Sequence, residues 1–70
     1  MENEIEISRT DYTTPIKGVS VTGNLVEVIG ERVIELEDGR IIEQYIYNIV
    51  GYEATNGKPF AALKANIYLR

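Results

Sequence analysis

The chain has no cysteine and no histidine. Without cysteine there are no disulfides, thiol nucleophiles or thiolate zinc sites. Without histidine the commonest general base and metal ligand is missing, so Ser-His-Asp, Cys-His and zinc-hydrolase schemes fall away. No cofactor and no enzymatic activity are expected. No apolar run approaches the roughly 20 residues that cross a bilayer as a helix. The acidic start, MENEIEISR, lacks the apolar segment of a signal peptide. The expected compartment is therefore the cytoplasm, with no membrane contact.

Acid is also unevenly placed. Residues 1–53 carry all 11 acids and four bases (Arg9, Lys17, Arg32, Arg40), a balance of −7. Residues 54–70 carry Lys58, Lys64 and Arg70 and no acid, a balance of +3, which restores the net charge of −4. An acidic body repels a phosphate backbone more than it attracts one. The two segments are expected to pair with each other.

Seventy residues make one domain near the lower limit for a self-sufficient core. The composition, 44% apolar and 26% charged, is that of a folded globular chain. So short a chain exposes much of its sheet, which predicts self-association or a partner over one face.

The organising stretch is Asn24–Asn48, rich in Val, Ile, Leu and Tyr and interrupted at Gly30-Glu31 and Asp38-Gly39. Gly-X and Asp-Gly between such runs signal two-residue hairpin turns. The expected meander pairs Val28 with Val33, Leu36 with Ile41, Ile34 with Glu43, and Glu37 with Arg40. One face then holds Leu25, Ile34, Leu36, Ile41 and Tyr45, the other Val26, Val28, Val33 and Ile42. Both are partly apolar, which favours a barrel, a sandwich or an oligomer.

Around this core, EIEIS at 4–8 reads as a short strand, and TDYTTPIKG at 10–18 as a loop with Pro15 ending any ladder. A change of apolar phase beside Gly23 reads as a bulge or sharp bend in one long strand. Residues 40–50 stay ambiguous: the apolar positions fit helical spacing, but seven of the eleven are Ile, Val or Tyr, which favour strands. Asn56-Gly57 is a third turn signal, with Pro59 on an edge. LKANIYLR alternates as a strand, and an initial helical turn through Ala61 and Ala62 stays open.

Few constellations carry chemistry. In the expected register Glu27 and Glu43 flank Ile34 at about 10 Å, but so small a domain has little material for a sugar-binding cleft, and solvated carboxylates are expected. Glu35, Glu37 and Asp38 (ELED) are too few oxygens for calcium and read as a solvated acidic face, or as a patch that docks on a basic protein surface. Tyr12, Tyr45, Tyr47, Tyr52 and Tyr68 suit packing or a protein interface, and base stacking less well. The glycines form no phosphate-binding motif.

The run VTGNLVEVIGERVIELED resembles the first motif of the Sm-like RNA-binding small barrels, through Gly23, Leu25, Val28, Ile34 and Leu36. The positions of that family's Asp and Asn hold Ile29 and Val33, and its second motif reads Tyr47-Asn48, so the resemblance implies barrel geometry alone. ERVIELEDGRIIE with GKPFAALK resembles a bacterial β-rich family of unknown function, sometimes encoded beside toxin–antitoxin genes; it implies no mechanism.

The expected fold is mainly β, a small antiparallel meander or five- to six-stranded barrel-like domain of SH3/Sm-like or OB-like size. The alternative is α+β with a helix at about 40–50. The expected function is that of a small acidic, non-enzymatic protein-binding domain, such as a phage- or defence-related modulator of inhibitor or antitoxin type. It would act through an acidic, Tyr-containing sheet surface with Glu35, Glu37, Tyr47 and Tyr52. The alternative is a small-barrel nucleic-acid-binding protein, a ring oligomer whose pore gathers Lys58, Lys64 and Arg70.

Overall fold

The computed structural model describes residues 4–52 and 57–70. The strands are β1 (Ile5–Ser20), β2 (Leu25–Glu35), β3 (Ile41–Ile49), β4 (Phe60–Leu63) and β5 (Ile67–Leu69). All pair antiparallel in one sheet of order β4-β3-β2-β1-β5. Laid flat, β4 and β5 would sit four strand spacings apart, about 19 Å. A single 3-10 turn, Lys64–Asn66, joins them, and at about 2 Å rise per residue it covers roughly 8 Å. So short a link serves both edges only if the sheet curls. The result is a curled half-barrel.

The curl comes from a bend in β1. Ile5–Asp11 lie opposite Glu35–Gly30 of β2, and Ile16–Val19 lie opposite Val28–Leu25. Residues 12–15 of β1 therefore stand against Ile29 alone. At the same level β2 slips against β3, between Val28 and Gly30. Extra residues on one strand bend it and increase its twist. Pro15, which donates no hydrogen bond, sits where the ladder is already broken.

Several expectations are corrected. Gly30-Glu31 is no turn; both residues lie inside β2. A Cβ on Gly30 would stand 2.6 Å from the Thr10 carbonyl oxygen, so this glycine allows a close approach of β1 and β2. The Val28–Val33 pairing is lost with that turn. The loop expected at 10–18 contracts to the 12–15 break, because the flanking residues keep their ladder. The expected bend at Gly23 is the β1–β2 hairpin turn, with Gly23 at φ +89° and its N–H donating to the Ser20 carbonyl at 2.9 Å.

Asp38-Gly39 does turn the chain, but with one more residue than expected. The Leu36 N–H donates to the Arg40 carbonyl and the Gly39 N–H to the Leu36 carbonyl, both at 2.9 Å, with Gly39 at φ +88°. This is a three-residue loop with glycine in the left-handed position. It pairs Glu35 with Ile41, Ile34 with Ile42 and Val33 with Glu43, one residue from the expected register. Arg40 consequently meets Asp38, Nε to Oδ2 at 2.7 Å, instead of Glu37.

The helix alternative at 40–50 is overturned: residues 41–49 are β3, where β-branched and tyrosine side chains pack against β2 and β4. Ala61 and Ala62 are strand, and the helical turn falls at Lys64–Asn66. Asn56 lies outside the described residues; Gly57 has φ +70°.

β3 runs without a break, so its odd and even residues mark the two faces of the sheet. The inner face holds Val26, Val28 and Ile67, all buried, packed by Tyr12, Tyr45, Tyr47, Ile49 and Ala62. The outer face buries Ile34 and Ile46. Both faces are apolar, as expected, though with different members.

Candidate functional site

Beyond the inner core lies a polar layer. Glu31 of β2 and Glu43 and Tyr45 of β3 share the inner face with Tyr12 of the β1 bend. Lys64, at the corner between β4 and β5, reaches across this layer. Its Nζ pairs with Glu31, lies 3.8 Å from Glu43, and sits 5.2 Å from the centre of the Tyr45 ring. The hydrogen bond to Glu31 holds the Lys64 ammonium above the usual lysine range. Burial first, and then the Glu31 charge, push the Tyr12 phenol up. This contact realises the expected pairing of the basic C-terminal segment with the acidic body.

Past that layer the inner face opens to solvent. Ile5, Glu35 and Ile41 stand side by side on β1, β2 and β3, Glu35 between the two isoleucines. Ile5 is 62% and Ile41 56% exposed. Glu43, four residues from Tyr47 on the same face of β3, adds a second carboxylate beside Ile41. Together they form an acidic and apolar row, with Glu37 in the adjoining loop.

The four predicted site residues do not form one surface. Glu35 is half-buried in the row, and Glu37 lies beyond the end of β2, exposed in the loop. Tyr47 is six residues along β3 from Ile41, about 20 Å away. It stacks on Phe60 with ring centres 5.7 Å apart, and the Tyr52 ring also packs against Phe60, at 5.9 Å. The Glu27 and Glu43 pair is not formed either: they align with Asn48 and Val33, some 20 Å apart along the sheet. Among the described residues no three acids converge on a metal position.

Sequence reasoning missed Ile5 and Ile41 as partners of Glu35. The apolar phase of EIEIS carried part of the signal, but its pairing with β2 was not legible and the β2–β3 register was one residue off. No family model, curated protein or solved structure matches this chain, so neither sequence resemblance gains support, and the geometry stands alone.

Proposed function

We propose that this chain is a non-enzymatic protein-binding module that docks its partner on the Ile5–Glu35–Ile41 row. The observation that carries the reading is the cross-strand placement of two exposed isoleucines around a carboxylate. Exposed β-branched side chains on the two strands that flank β2 offer apolar area at low ordering cost, and the carboxylates among them favour a basic rim on the partner. The partner is accordingly a protein surface with an apolar centre and nearby Lys or Arg. The reading covers small modulators of phage or defence systems, of inhibitor or antitoxin type. A second copy of the chain, itself acidic, suits the same row less well.

The nucleic-acid alternative draws less support. Lys64 is engaged by Glu31 and Glu43, and Tyr47 spends a ring face on Phe60.

Site-specific photo-crosslinking in native host cells tests the proposal. A photoreactive residue in place of Ile41 is expected to capture one discrete protein, while one in place of Thr22, exposed in the β1–β2 turn, captures none. Equal labelling from both positions, or none from position 41, refutes it.

A further inference from the structure

We propose that the outer face carries a binding site for a small oxyanion with an apolar body, a phosphate monoester or a carboxylate, gripped by Arg9 and Arg32. These two arginines are directly opposite each other on β1 and β2. Side chains so placed have Cβ atoms about 4.5–5.5 Å apart, and like charges there destabilise the pairing. The carboxylates that offset this pair lie at its margin: Asp11 and Glu6 beside Arg9, and Glu4 beside Arg32.

Both arginines line a cavity of about 270 Å³ whose wall also includes Lys58, Ile46, Pro59 and Phe60. Among the described residues, the existing partners hydrogen-bond the guanidinium groups through Nε and not through their terminal nitrogens. Arg32 Nε donates to Gln44 Oε1 at 2.8 Å, a neutral acceptor, and Arg9 Nε donates to Asp11 Oδ1 at 3.0 Å. The remaining carboxylates stand farther off: Glu4 is 3.8 Å from Arg32 Nη2 and Glu6 is 3.9 Å from Arg9 Nη1. Both distances exceed hydrogen-bond range. Exposed ion pairs of this kind are weak and yield to a better acceptor.

Two guanidinium groups with unfilled planar donors match the two or three oxygens of a carboxylate or phosphate. Ile46, Pro59 and Ala61 supply an apolar wall for the ligand's body. The net charge of −4 opposes a long phosphate backbone but not a single oxyanion at a local pair of cations. Arg32 aligns with Gln44 whereas Glu35 aligns with Ile41, so this site and the proposed docking row lie on opposite faces. It stands whether or not that row docks a protein.

The test is an NMR titration of the full chain with phenyl phosphate, phenylacetate, inorganic phosphate and the neutral phenylacetamide. Phenyl phosphate or phenylacetate should move the Arg9, Arg32 and Ala61 amides saturably, and the tighter of the two distinguishes phosphate monoester from carboxylate. Phenylacetamide and inorganic phosphate should bind at least about tenfold more weakly, as should either aryl anion to Arg32→Gln. The ligand comparison needs no variant, so it holds even if Arg32→Gln folds poorly. No saturable shift by about 10 mM, equal binding of phenylacetamide, equal binding of inorganic phosphate, or unchanged affinity in a folded Arg32→Gln would each overturn the proposal.

Discussion

Replacing Gly30 with asparagine tests the bend that shapes the whole sheet. A Cβ at this position would lie 2.6 Å from the Thr10 carbonyl oxygen, whereas ordinary contact begins at 3.4 Å. β1 and β2 must therefore part by 0.8 Å, the difference between those distances. Ladder hydrogen bonds of about 2.9 Å would stretch beyond their working range. Losing one or two of them, or absorbing the clash as overpacking, costs about 1–3 kcal/mol. Removing glycine's freedom from the unfolded chain returns about 0.4–1 kcal/mol. A net loss of about 1–2 kcal/mol lowers Tm by roughly 4–16 °C in a domain of this size.

Gly39→Asn is the matched control. Gly39 has φ +88°, and a Cβ added there would meet nothing within 4 Å; asparagine is among the residues that tolerate that conformation. Its Tm should change by only a few degrees. Thermal melts followed by circular dichroism compare the two variants directly. If Gly30 were a hairpin turn residue, asparagine would be tolerated there just as at Gly39. Equal melting temperatures would refute the mid-strand position of Gly30.

Two further predictions concern charge. The Lys64 and Tyr12 pKa values are raised above 10.5 and 10.0, so the stability they contribute is full below about pH 10 and is lost as pH rises through the folded-state values. Denaturant titrations should therefore show stability falling above about pH 10, with a shallower fall in Lys64→Met; an identical pH profile in that variant would contradict the polar layer. Charge reversal separates the two acids of the docking surface: Glu35→Lys should weaken the captured complex a few-fold and reduce its salt sensitivity, and Glu37→Lys, out in the loop, should do so less. Equal effects, measured by surface plasmon resonance, would move the docking surface toward the turn.

The mainly-β class and the Asp38-Gly39 reversal were legible because β-branched density and an Asp-Gly dipeptide each have a local physical cause. The register was not. Asp-Gly serves two-residue and three-residue loops alike, and the difference depends on how β2 and β3 twist together. A one-residue slip then changes every cross-strand neighbour. Gly30 misled for a related reason: glycine marks both tight turns and close backbone approaches, and only Thr10, 20 positions earlier in the chain, tells which applies. The segment at 10–18 looked like a loop because its Thr, Asp, Pro and Gly content is real, yet the sheet accepts it by setting Pro15 in a break.

The candidate site suffered most from these errors. Glu35 was picked out as acidic, but its flanking isoleucines come from strands whose alignment was misread or unread. The Arg9–Arg32 juxtaposition was invisible for the same reason, since Arg9 adjoins the segment read as loop. Tyr47 and Tyr52 stand out as aromatic, but Phe60, the ring both of them touch, comes from β4, beyond the Asn56-Gly57 turn signal, where no strand alignment was legible.

The strand alignment that brings Ile5, Glu35 and Ile41 together underlies everything proposed for this chain. Two-dimensional NMR of the isolated chain tests it most directly, through nuclear Overhauser contacts between facing strands. Cross-strand contacts should link Ile5 to Glu35 and Glu35 to Ile41, together with Arg9 to Arg32. A hairpin contact between Ile29 and Arg32, with none between Glu35 and Ile41, would contradict it.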